Sequence, residues 1–209
     1  MGQEQDKVAI REAFGQGPLQ QFLSELARRH DIWLAGGTVP LEAPEPDKVL
    51  NTTLVYNPQG ELAARYDKVH LFSFSKGQES YDEARTIRPG TQVSSFEAPW
   101  GRVGLSVCYD LRFPVFARNQ GDYDVLIYVA NWPEQRRRVW STLLSARAME
   151  NQAFVLGCNR VGFDGNQVLY SGDSVVLNYL GEPMAEFPAG QAGVLIATLR
   201  LDDLLKFRQ

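Results

Sequence analysis

The chain is short of sulfur and of imidazole. Two cysteines and two histidines in 209 residues cannot build a disulfide framework. Neither a CxxC pair nor a Cys/His metal spacing occurs. Free thiols in a reducing cytoplasm are therefore expected, with no metal and no cofactor. Basic charge is also scarce. The 21 Lys and Arg are outnumbered by 25 Asp and Glu, for a net charge of −4. That balance disfavours a nucleic-acid partner or an anionic membrane surface. No apolar run approaches the roughly 20 residues of a membrane span. The opening Met1-Gly2-Gln3-Glu4-Gln5-Asp6 lacks the apolar stretch of a signal peptide. Repeats, low-complexity tracts and long linkers are missing too. With 44% hydrophobic and 22% charged residues, the composition is that of a soluble globular protein. Residues 1–209 are expected to form a single domain.

Hydrophobic periodicity sets out the elements. Leu19, Phe22, Leu23 and Leu26 recur at helical spacing, which predicts an amphipathic helix over 16–30. A buried strand is expected over 31–39. Residues 51–57 and 61–66, joined by Pro58-Gln59-Gly60, read as a hairpin. Residues 67–90 form a long polar, loop-rich segment, expected by its length to be either functional or disordered. A second hairpin spans 92–98 and 102–108. A helix is expected over 113–119, a buried strand over 124–130, and a helix over 136–151 with Trp140, Leu143, Leu144 and Ala148 facing in. Another buried strand covers 153–161, then a turn at Asp164-Gly165-Asn166 and short strands over 174–178, 183–187 and 193–198. Buried strands alternating with helices give an α/β layered fold, and the hairpins make its sheets mixed.

Chemistry concentrates in two segments. Cys108 ends the apolar run Val103-Gly104-Leu105-Ser106-Val107 and precedes Tyr109-Asp110-Leu111-Arg112-Phe113-Pro114. A strand end that turns toward a helix can hold a nucleophile out into a cleft, with backbone N–H groups pointing the same way. The second segment, Tyr66-Asp67-Lys68-Val69-His70-Leu71-Phe72, sets a lysine among apolar positions.

Together with Ala146-Arg147-Ala148-Met149-Glu150-Asn151-Gln152 and Gly172-Asp173-Ser174-Val175-Val176, these segments resemble the nitrilase superfamily of carbon–nitrogen hydrolases. The resemblance runs in order along essentially the whole chain. It implies a four-layer α-β-β-α sandwich with mixed sheets, assembled at least as a homodimer, and a Glu-Lys-Cys triad. Cys108 matches the nucleophile and Lys68 the triad lysine. Glu83 matches an auxiliary glutamate, with Glu79 as fallback. The stretch 113–182, with Asn131-Trp132-Pro133 and Gly157-Cys158-Asn159-Arg160, is most similar to the omega-amidase branch, which cleaves the terminal amide of 2-oxo acid amides. Residues 1–112 are closer to the deaminated-glutathione amidase branch. The implied partners are a small carboxylate-bearing amide and water.

Amide cleavage by a thiol requires a thiolate, a polarised carbonyl, a protonated leaving ammonia and water to open the thioester. Lys68 can favour the thiolate and stabilise the oxyanion, and the backbone N–H of Tyr109 is a second oxyanion donor. The family's triad glutamate lies in a Pro-Glu motif whose match would fall upstream of Met1, along with the first strands. The C-terminus likewise stops before the family's closing tail. The expectation is thus that this chain lacks its general base and turns over little, compared with one extended through that motif.

Blander readings stand beside these. A free cysteine is commonly a small buried hydrophobe, which is the reading for Cys158. His70 is read as packing near the lysine, and His30 as closing a helix after Arg28-Arg29. Arg147 and Glu150 are spaced for an intrahelical ion pair. Asp110 and Arg112 are read as braces of the Cys108 turn. Asn131, Trp132 and Arg160 follow buried strands and are candidates for the pocket wall and the substrate carboxylate. Arg136-Arg137-Arg138 is a solvated helix start, though three cations there oppose the helix dipole. Two other functions compete with the amidase: a silent family member serving as a binding or assembly module, and a thiol hydrolase pairing His70 with Cys108.

Overall fold

The computed structural model describes residues 4–76 and 79–209, with side chains for all of these except residues 4, 5, 76, 79 and 80. Met1 and Gly2 lie outside the described residues, as does the Glu79 side chain. The chain divides into two compact units, 1–94 and 95–209.

The first unit carries helices α1 (Glu4–Ala9) and α2 (Pro18–His30) and a sheet of β1 (Leu34–Glu42), β2 (Val49–Tyr56) and β3 (Leu62–Asp67). All three strands pair antiparallel, with β2 in the middle. Its β-branched and aromatic run Thr52-Thr53-Leu54-Val55-Tyr56 is buried throughout, as a central strand requires. The β2–β3 turn forms because Asn57 Oδ1 accepts the N–H groups of Gln59 and Glu61, and Gly60 takes φ 77°. α2 begins with Pro18 in its first turn and ends at Asp31, whose left-handed backbone returns its N–H to the carbonyls of Ala27 and Arg28. The Glu12 carboxylate takes the N–H groups of Leu19 and Gln20, placing negative charge at the helix start. Arg28, Arg29 and His30 occupy the last turn, where cations suit the dipole.

The predicted helix is present, but its buried face differs from the expected one. Ala27 is fully buried and packs with Val39, Leu41, Leu54 and Tyr56, flanked by Leu23. Leu19 and Phe22 are exposed. The 67–90 segment is more ordered than expected. It holds a hairpin of β4 (Ser73–Lys76) and β5 (Glu79–Asp82), a 3-10 turn at Glu83–Arg85, and β6 (Ile87–Arg88), which runs parallel to the start of β2.

The second unit is built on a six-stranded sheet in the order β14-β13-β10-β9-β8-β7. Its strands are β7 (Ser94–Ala98), β8 (Gly101–Val107), β9 (Val125–Ala130), β10 (Phe154–Asn159), β13 (Val175–Leu177) and β14 (Pro183–Glu186). A separate hairpin pairs β11 (Val161–Phe163) with β12 (Leu169–Ser171). β8, β9 and β10 run parallel, and β13 and β14 add antiparallel.

Helix α3 (Arg137–Asn151) makes the crossover from β9 to β10 and buries Trp140, Leu144 and Ala148 against Leu126, Tyr128 and Val155. The strand alternation sends Val103, Val125 and Phe154 to the other face, where they meet Leu204 of α4 (Leu201–Phe207). Gly157 lets α3 approach closely, because a Cβ there would lie 2.5 Å from Leu144 Cδ1 and 2.9 Å from the Trp140 ring.

Three expectations fail here. Residues 113–119 form turns instead of a helix. Phe113 sits at φ −114°, ψ 85°, out of the helical region that a following proline disfavours. The stretch 193–198 alternates as a strand should, yet no neighbouring strand bonds to it among the described residues, and Val194 and Ile196 point outward. Cys158 is exposed instead of buried.

Candidate active site

Parallel strands deliver the candidate residues to one edge. Cys108 follows β8, Asn131 follows β9 and Arg160 follows β10, all at the carboxyl ends of neighbouring parallel strands. Open α/β sheets bind ligands outside that edge.

Cys108 is held by a strained turn. Its φ of 48° lies in the left-handed region, where a side chain costs of order 1–2 kcal/mol. Fixed partners keep it there. The fully buried Asp110 carboxylate accepts the N–H of Val107 at 3.0 Å. The Leu111 carbonyl accepts Arg147 Nη2 at 2.6 Å. Arg147 is itself buried and pairs with Glu150 at 2.7 Å, so both residues have structural work, as their spacing implies. The Cys108 thiol lies 3.9 Å from the Asn131 carbonyl oxygen, which accepts its weak hydrogen bond. Tyr109, next in the turn, sets its ring edge-on to Phe113 at 5.5 Å.

Two arginines flank this edge. Arg112 is exposed, with its guanidinium 5.9 Å from the centre of the Tyr109 ring and 5.8 Å from that of Trp132. Among the described residues no carboxylate pairs with it. Trp132 is 3% exposed, tilts against Trp140 and donates its indole N–H to the Arg136 carbonyl. Its ring lies under the Arg112 guanidinium. Arg160 lies 4.8 Å over the Tyr170 ring and donates to the Phe163 carbonyl. The Tyr170 phenol donates to Asp164 at 3.1 Å. Burial first, and then the Asp164 carboxylate, push its pKa up to about 12, with a smaller contribution from Cys108. Of the three-arginine run, Arg137 is neutralised by both oxygens of Asp173, at 2.6 and 3.2 Å.

The first unit brings Lys68 and Glu83 together. Lys68 follows β3, 1% exposed, with its backbone N–H on the Asn51 carbonyl and its carbonyl taken by the Gly90 N–H. Its ammonium meets Glu83 Oε2 at 2.6 Å. The same oxygen accepts the Phe72 N–H at 2.8 Å, and the Phe72 carbonyl accepts the Glu83 N–H. A buried ion pair persists only when its charges are partnered this closely.

Sequence reasoning missed Phe72 as the backbone anchor of Glu83. It also missed Asn159, whose side chain touches three backbone groups. Neither has a composition signal, since both roles rest on backbone contacts. No group of three or more His, Cys, Asp or Glu side chains is placed to hold a metal ion among the described residues. No helix there is long and apolar enough to cross a membrane.

The profile of the carbon-nitrogen hydrolase family matches residues 3–209. The chain belongs to this family. Among its carbon-nitrogen hydrolase relatives, omega-amidase YafV of Yersinia enterocolitica is 47% identical over 176 residues, covering 84% of this chain and 65% of that protein. Deaminated glutathione amidase of the same species is 36% identical over 183 residues, covering 85% and 64%. The chain thus spans about 65% of the length of the relatives it matches. The crystal structure of Saccharomyces cerevisiae Nit3, a member of branch 10 of the nitrilase superfamily, superposes with a TM-score of 0.85. It is 29% identical and covers 99% of this chain and 73% of its own. The mixed α/β architecture with mixed sheets is the one found in that superfamily.

Proposed function

We propose that this protein is an amidase that cleaves the terminal amide of a small carboxylate-bearing substrate through a thioester on Cys108. The carrying observation is the Cys108 turn, a non-glycine residue at φ 48° at the end of a parallel strand, braced from beneath by Asp110 and Arg147. Such strain is maintained where a side chain must be presented to a ligand. Family membership supports the reaction class, and the names of the YafV and deaminated-glutathione relatives support an amide bearing a carboxylate. One family profile spanning 3–209 supports treating the two compact units as parts of one catalytic domain.

The thiolate of Cys108 attacks the amide carbonyl and forms a tetrahedral oxyanion. Lys68 and the Tyr109 N–H are the donors assigned to that oxyanion. Collapse expels ammonia, which leaves with a proton, and water then opens the thioester to release the acid and the thiol. Proton movement requires a carboxylate; Glu83, held against Lys68, is assigned that role, against the expectation that the chain has no general base and turns over little. Arg112, whose guanidinium lies over the Tyr109 and Trp132 rings and pairs with no carboxylate among the described residues, is assigned to the substrate carboxylate. Arg160, committed to Phe163 and Tyr170, is assigned to the pocket edge together with Asn131. Ammonia release from a 2-oxo acid amide tests the reading. Release should vanish in Cys108→Ala and persist in Cys158→Ala. Release that survives the loss of Cys108 would overturn it.

A further inference from the structure

The peptide that joins Asn131 to Trp132 faces two partners at once. Its carbonyl oxygen lies 3.9 Å from Cys108 Sγ, and its N–H donates to Asn159 Oδ1 at 2.8 Å. In a trans peptide these two groups point in opposite directions, so fixing one aims the other. Asn159 is well placed to fix it. Its Nδ2 donates to the Trp132 carbonyl at 3.1 Å and to the Gly172 carbonyl at 2.8 Å. The amide orientation is thereby determined, because Oδ1 meets an N–H and Nδ2 meets two carbonyls. The backbone of Asn159 is tied as well, since its N–H donates to Ser174 Oγ and its carbonyl accepts that hydroxyl.

We propose that Asn159 is a positioning residue for the nucleophile. Gripping Trp132 by both its N–H and its carbonyl, it aims the Asn131 carbonyl at the Cys108 sulfur and parks the resting thiol on it. The inference rests on Cys108 being the reactive thiol, but it needs no turnover to be tested. Among the titratable and charged groups near this thiol are Tyr109, Asp110 and Arg112 on its own turn and Tyr170 on β12. Among the described residues the Asn159 side chain bonds to Trp132 and Gly172 and to none of these, so its loss should reach the sulfur through the 131–132 peptide.

The test is the rate at which iodoacetamide alkylates Cys108 at neutral pH, read by peptide mass, in Asn159→Ala and Asn159→Asp. A carbonyl that accepts S–H holds the thiol neutral. Releasing the peptide in Asn159→Ala should therefore raise the rate about fivefold, the worth of one weak hydrogen bond. Asn159→Asp keeps the oxygen that receives the Trp132 N–H and should stay within about twofold of the parent rate, although it loses the amide donors and thermal stability with them. An unchanged or slower rate in Asn159→Ala overturns the proposal. So does an equal rise in both variants, which marks general loosening. If Asn159→Ala fails to fold, hydrogen exchange on the unaltered protein decides. A strongly protected Trp132 amide supports the clamp, and exchange at open-loop rates overturns it.

Discussion

The two compact units solve opposite problems with opposite means. In the first, Lys68 and Glu83 are charges withdrawn from water and held against each other, the Glu83 carboxylate also by the Phe72 N–H, while Asn51 and Gly90 fix the Lys68 main chain. Burial is the device, and complete partnering is its condition. In the second, Cys108 is half-buried at the end of a strand, and what holds it is backbone geometry. The Lys68 and Glu83 charges are satisfied against each other, whereas Cys108, the proposed nucleophile, is presented on a strained turn with the Asn131 carbonyl beside its sulfur. The first arrangement should therefore fail through stability and the second through rate.

The sharpest break of that contrast is Cys108→Ala, which should cost at least about 10⁴ in amide turnover while leaving the thermal midpoint nearly unchanged. Kinetics and calorimetry on one sample check both halves. The converse is Lys68→Met, which strands the Glu83 carboxylate without its cation and should cost about 3–5 kcal/mol in urea unfolding. The double variant Lys68→Met/Glu83→Leu should recover much of that stability without recovering activity. Arg112→Ala sharpens the second unit alone. Losing one charge-assisted contact should raise KM for a carboxylate-bearing amide roughly 10- to 100-fold, with less change in kcat. An amide without a carboxylate should show no such rise.

The smallest effect concerns Asp124, which ties β9 to the C-terminal helix through Arg208 at 2.6 Å. Burial alone would raise its pKa, but the Arg102 N–H and the Arg208 guanidinium outweigh that and hold it below its usual 3.8. The folded state thus binds this proton more weakly than the unfolded chain does. The stabilisation is present above about pH 4 and is lost as pH falls through the depressed value. Asp124→Asn should lower stability at neutral pH and flatten the acid limb of the unfolding curve.

Much of this was legible in the residues themselves. The parallel strands carrying Cys108, Asn131 and Arg160 read directly as apolar runs, and α3 declared itself through Trp140, Leu144 and Ala148. Local pattern misled where a single neighbour decides the outcome. Pro114 removes the helix expected over 113–119 by pushing Phe113 out of helical geometry. Val194 and Ile196 alternate correctly, but a strand needs a partner that no alternation supplies. The buried α2 face departs from its periodicity, because Leu19 and Phe22 follow the helical period while Ala27, a smaller residue, makes the close contact with the sheet. The Asn159 clamp is a set of side-chain-to-backbone bonds between elements 27 residues apart, and no periodicity encodes that.

Competition between the two cysteines shows which thiol is the reactive one. Cys158 is the more exposed thiol, and partial desolvation by its neighbours holds its pKa above the usual value. Iodoacetamide, itself a small amide, can be offered below stoichiometry and its adducts mapped by peptide mass. Cys108 should be alkylated first, despite being less exposed. Modification of Cys158 first, or of both in proportion to exposure, would contradict it.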